Sequence, residues 1–169
     1  MAKKLIWALV FILIAALLQS TVLSRMAIYI TAVPDLSLCI LVFTAYVNGT
    51  MTGQLTGFFS GFMLDFLSAS PLGFNALIRT LIGAMSGFIK GTFFLDAFFL
   101  PMALCAGATI FKAIAYFLLY LLLAGSVPYY SLLNPTFWVE LGLNVVLAPF
   151  LFGFLKSFGS LLAGQRETL

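Results

Sequence analysis

Met1-Ala2-Lys3-Lys4 is followed without a break by LIWALVFILIAALLQSTVL, residues 5–23. The second stretch is close to the ~20 residues that an α-helix needs to cross the hydrocarbon of a bilayer. Two lysines before an apolar run also resemble the start of a secretory signal. No A-x-A-like cleavage site follows, and the apolar run continues through Val22-Leu23. The segment therefore reads as an uncleaved first membrane helix.

The rest of the chain has the same character. Of 169 residues, 63% are hydrophobic and 8% charged, against roughly a quarter charged in a soluble domain. The 8 basic and 5 acidic side chains cannot cover a soluble exterior, whereas a bilayer removes the need for one. The absence of His excludes Ser-His-Asp triads, zincin motifs and His-ligated metals. There is no P-loop, no CxxC and no carboxylate pair at catalytic spacing, so neither an enzyme nor a cofactor is expected. Cys39 and Cys105 lie in apolar runs, where cysteine acts as a small hydrophobe. The basic residues are spread along the chain and form no nucleic-acid patch.

Hydropathy and turn signals predict an all-α, six-transmembrane-helix bundle in one integral membrane domain, 1–169. Its helices are expected at about 5–23, 34–47, 51–67, 74–89, 97–124 and 135–154. Pro34-Asp35 opens the second, with Pro at the first helical position and an acid in the first turn. Asn48-Gly49-Thr50 is a tight turn; it matches a glycosylation sequon, but on the cytoplasmic side. Ser68 to Gly73 breaks the chain again, and Gly125 to Pro135 is the longest polar stretch. Asn134-Pro135 supplies an N-cap and N1 pair to the last helix. Six crossings put both termini on one side. That side receives Lys3, Lys4, Lys90, Lys156 and Arg166, and the other receives Arg25, which makes the termini cytoplasmic. Tyr129-Tyr130 and Trp138 fit an outer aromatic belt, and Trp7 an inner one.

Four charges remain in or near the hydrocarbon: Asp65, Arg79, Lys112 and Glu140. Such residues are costly there and normally face partners inside the bundle. Gly53, Gly57, Gly61 and Asp65 recur every fourth residue on the third helix, as do Arg79, Gly83, Gly87 and Gly91 on the fourth. Counting outward from Pro71-Leu72 pairs Asp65 with Arg79, Gly61 with Gly83, Gly57 with Gly87, and Gly53 with Gly91. This predicts a closely packed hairpin, closed at its external end by an Asp65–Arg79 ion pair. The ridges serve either packing or the docking of another protein's helix. Lys112 has no assigned partner: Glu140 is in reach only if Lys112 stretches outward, and a ligand carboxylate is the other option.

Pro34-Asp35-Leu36, then Gly53-x-x-x-Gly57-Phe58-x-x-Gly61-x-x-x-Asp65, then Leu72-Gly73-x-x-Ala76-Leu77 resemble the signature of the MreD family of rod-shape-determining membrane proteins. The resemblance covers residues 34–91. It implies a non-enzymatic component of the cell-wall elongation machinery in the bacterial inner membrane. The implied partners are an MreC-like single-span protein, membrane lipid and, indirectly, actin-like MreB filaments and peptidoglycan synthases. It also implies a fold similar to the substrate-binding subunits of energy-coupling-factor transporters. The alternative function is therefore a small-molecule-binding membrane subunit, with a polar cavity involving Lys112, Asn144 or Glu140.

Overall fold

The computed structural model describes residues 2–23, 32–68, 70–90, 98–123, 130 and 132–162. Arg25, Gly91, Asp96, Tyr129 and Arg166 lie outside the described residues, as does most of the polar stretch Gly125 to Pro135. All described elements are helical: α1 (Ala2–Leu18), α2 (Leu36–Asn48), α3 (Thr50–Leu67), α4 (Phe74–Phe88), α5 (Phe99–Leu122), α6 (Pro135–Ser157) and the short α7 (Gly159–Leu162). A π-helical turn, Gln19–Leu23, prolongs α1, with the Ser20 and Thr21 hydroxyls both donating to the Leu17 carbonyl. Among the described residues, three helices are long and apolar enough to cross a membrane: Lys3–Thr21, Phe99–Leu122 and Pro135–Ser157.

α2 is the centre. Every residue from Ser37 to Ala45 is buried, as expected of a helix apolar all round. Packed against it are Ala8 and Ile12 of α1, Ile78 and Ile82 of α4, Cys105 of α5, and Ala148 and Phe152 of α6. With 13 residues it is about 20 Å long, shorter than the ~30 Å hydrocarbon core of a typical bilayer. It begins two residues later than Pro34-Asp35 implied. Asp35 is the N-cap, with its side chain accepting from the Leu38 N–H at 3.0 Å, and Pro34 precedes it instead of taking the first helical position. The acid thus caps the helix from outside, satisfying a donor that the first turn leaves open. A single residue, Gly49 at φ 93°, joins α2 to α3, a left-handed conformation that suits glycine.

α3 and α4 form the closest helix pair. A Cβ built on Gly53 would fall on the Gly83 carbonyl, one on Gly57 on the Arg79 carbonyl, and one on Gly61 on the Asn75–Ala76 backbone. Reciprocally, Gly83 meets Gly53, and Gly87 meets Gly49 and Thr50. Both ridges are therefore spent on this one interface, as small-xxx-small packing requires. The register differs from the symmetric count: Gly53 faces Gly83, not Gly91, and Gly57 faces Arg79, not Gly87. The reason lies in the 68–73 connection. Asp65 accepts from the N–H groups of Gly73 (2.8 Å), Asn75 (2.9 Å) and Ala76 (3.3 Å). This capping draws the start of α4 alongside the last turn of α3. Arg79 then lies level with Gly57, eight residues or about 12 Å along α3 from Asp65. Gly73, at φ 92°, makes the turn into that cap.

Enlarging Gly57 or Gly83 to Val should part the two backbones and cost about 1–3 kcal/mol through overpacking. Gly107→Ala and Gly142→Ala, where an added Cβ meets nothing within 4 Å, should change little. Thermal unfolding in detergent of the four variants checks the contrast, and equal effects at both pairs of sites would contradict the packing described.

Candidate functional site

Asp35 sits where α2, α4, α5 and α6 converge. Its Oδ1 accepts from the Leu38 N–H, from the Ser37 hydroxyl at 2.9 Å and from Arg79 Nη2 at 2.9 Å. Its Oδ2 accepts from Lys112 Nζ at 2.8 Å. Lys112 also donates to Glu140 Oε1 at 2.7 Å, and Glu140 Oε2 accepts from the Tyr130 hydroxyl at 2.5 Å. The Lys112 ammonium lies 5.9 Å from the centre of the Tyr130 ring, within cation–π range. Burial and the neighbouring Glu140 carboxylate push the Tyr130 hydroxyl above its ordinary range, which keeps it a donor.

A neutral layer supports the charges. The Asp35 N–H donates to Asn144 Oδ1 at 2.8 Å, and Asn144 Nδ2 donates to Thr109 Oγ1 at 3.0 Å. Thr109 passes its own proton back to the Cys105 carbonyl at 2.8 Å. Ser37 accepts from Arg79 Nη2 while donating to Asp35. Ser37, Thr109 and Asn144 have no exposed surface, and Asp35 and Arg79 are each 4% exposed. Two carboxylates face two cations, so the cluster is neutral as a whole. Isolated charges are expensive to remove from water, and pairing with hydrogen bonds is what makes their burial tolerable.

The expected Asp65–Arg79 pair is absent. Arg79 is bound to Asp35, one helix further in, and Asp65 is occupied by three backbone N–H groups. Lys112 has two carboxylate partners, Asp35 and Glu140, so Glu140 is within direct reach. Of the residues singled out in the sequence, Asp35, Arg79 and Lys112 come together. Gly53, Gly57, Gly61, Gly83 and Gly87 form the α3–α4 seam, with Asp65 and Gly73 at its end, and Pro34 flanks the cap. Sequence reasoning missed the roles of Ser37, Thr109 and Tyr130. An amide at Asn144 inside an apolar helix was the one signal available for the neutral layer. With both carboxylates saturated, the cluster offers no free base, and its evident chemistry is the fastening of four helices to one another.

Asp35→Ala leaves Arg79 and Lys112 without their shared carboxylate and should cost about 3–5 kcal/mol. Asp65→Ala removes only a helix cap and should cost about 1–2 kcal/mol. Melting temperatures in detergent should rank wild type, Asp65→Ala, Asp35→Ala in descending order. The exchange Asp65→Arg with Arg79→Asp should be no more stable than either single change; restored stability would place the two residues in contact.

The family model described as rod shape-determining protein MreD matches residues 1–158 of the 169-residue chain. No curated protein matches, and no solved structure matches. The match spans α1 to α6, including the charge cluster and the glycine seam, and so the chain belongs to the MreD family of rod-shape-determining membrane proteins.

Proposed function

We propose that this protein is a non-enzymatic scaffold of cell-wall elongation, a six-span bundle in the inner membrane with both termini cytoplasmic. It binds an MreC-like single-span partner, and through that partner it acts on actin-like filaments and peptidoglycan synthases. The observation that carries this reading is the mutual pairing of the four charges in the cluster. Asp35, Glu140, Arg79 and Lys112 are bound to one another, an arrangement suited to fixing helices rather than to turning over a substrate. Five basic residues against one support the orientation.

The glycine ridges are filled by the α3–α4 seam, so the partner's span docks elsewhere. The outer face of α3 is a candidate. Phe58, Phe59, Phe62 and Phe66 are exposed there, with Phe58 stacked on Phe62 and the pairs Phe58–Phe59 and Phe62–Phe66 edge to face, ring centroids 4.9–6.0 Å apart. A preorganised row of aromatic rings offers large contact area at low entropic cost.

Purification from native membranes in mild detergent should recover an MreC-like chain in fixed proportion. Cells carrying Phe58→Ala with Phe62→Ala should lose that chain from the purified fraction and round up, with the protein itself still at wild-type level. Recovery of the protein alone from wild-type membranes would sink the scaffold reading; an unchanged complex in the double variant would sink only the placement on α3.

A further inference from the structure

A cavity of about 190 Å³ opens beside the charge cluster, with Gln19, Asn75, Arg79, Lys112 and Tyr116 among its lining residues; the Asp35 carboxylate also lines it, its oxygens already held by Arg79 and Lys112. Two of its lining side chains hold buried polar atoms with no hydrogen-bond partner: Arg79 Nη1 and Gln19 Oε1. Unsatisfied buried polar atoms are rare and call for an explanation. The Arg79 side chain is 5% exposed, so bulk water is not close at hand. One atom is a cationic donor and the other an amide acceptor. An occupant must therefore present an oxygen acceptor to Arg79 and, beside it, a hydrogen-bond donor to Gln19.

The cavity does not end there. A second space of about 250 Å³ shares Gln19, Leu64 and Ser68 with it, and is otherwise lined by Ala16, Ser20, Val33 and Leu67. This second space lies between the end of α1 and the end of α3 and is mainly apolar. A chamber holding these polar groups and leading into an apolar groove at the helix ends matches an amphiphile. The chamber is far larger than the ~10–15 Å³ that one water needs, and smaller than the ~300–1,000 Å³ of sites for drug-sized ligands. It has the scale of a headgroup.

We infer that this protein carries a site for a single phospholipid whose headgroup places a hydrogen-bond donor, a hydroxyl or an ammonium, next to its phosphate. The phosphate oxygen accepts from Arg79 Nη1, the headgroup donor reaches Gln19 Oε1, and an acyl chain follows the groove past Leu64 and Leu67. Phosphatidylglycerol and phosphatidylethanolamine meet this requirement; phosphatidylcholine, whose quaternary ammonium has no N–H, does not. The occupant would connect the α1 end to α4.

The test uses the full chain purified in detergent and the three lipids with identical acyl chains, with retained lipid read by native mass spectrometry. At least one of phosphatidylglycerol and phosphatidylethanolamine should be retained about fivefold more than phosphatidylcholine, the scale of one hydrogen bond. Gln19→Leu should reduce that preference to less than about twofold. Ser68→Leu, exposed at the junction of chamber and groove, should lower retention of all three and serves as the second variant if Gln19→Leu unfolds. Equal retention of the three lipids by the wild type overturns the inference, as does a preference that survives Gln19→Leu in folded protein. Glycerol 3-phosphate bound as tightly as the lipids would also overturn it, because the ligand would then be a soluble anion and the groove would have no part.

Discussion

The arrangement of this protein rests on one carboxylate. Asp35 ends the N-terminal cap of the central helix, and both of its oxygens are taken by groups from other elements as well as its own. Arg79 comes from α4, Lys112 from α5, and Asn144 of α6 holds the backbone N–H of the same residue. Where these four helices meet is therefore fixed to within a hydrogen bond. An apolar replacement could match such a cluster in free energy, since desolvation offsets much of the Coulomb gain. It could not match it in specificity. Lipid tails are as apolar as leucine, so hydrophobic contact alone gives helices in a bilayer little reason to choose one neighbour over another.

Two devices then divide the labour. The α3–α4 seam brings backbones together through glycine and depends on van der Waals contact. The charge cluster gathers α2, α4, α5 and α6 and depends on electrostatics in a medium of low dielectric. Arg79 belongs to both, its carbonyl against Gly57 and its guanidinium on Asp35. A shift of the seam by one residue would carry the guanidinium around the helix and away from its carboxylate. Packing and charge therefore enforce the same register.

Much of this was legible in the sequence, for definable reasons. The recurrence of Gly53, Gly57 and Gly61 against Gly83 and Gly87 announces a close pair because the four-residue spacing places them on one face. Their register was not legible, because a symmetric turn had been assumed and Asp65 draws the next helix down beside it. Local spacing also misdirected the reading of Asp35. A carboxylate after Pro34 at a helix start has a complete local explanation as an acid suited to the helix dipole, which hides its larger role. Its charged partners lie 44 and 77 positions away, separations at which periodicity carries no signal. Lys112 in mid-helix did reveal that an acid had to exist, though not which.

The pairing of the four charges also follows the order of the chain. Asp35 and Arg79 both belong to the first four helices, and Lys112 and Glu140 both belong to the next two. Each portion thus contributes one ion pair to the cluster, and the Lys112–Asp35 contact joins the two. Each ion of the cluster therefore has a counter-charge within its own portion of the chain, and the buried Asp65 has backbone N–H groups within its own portion. The order of residues along the polypeptide thereby keeps every buried charge in the same stretch of sequence as a group that compensates it.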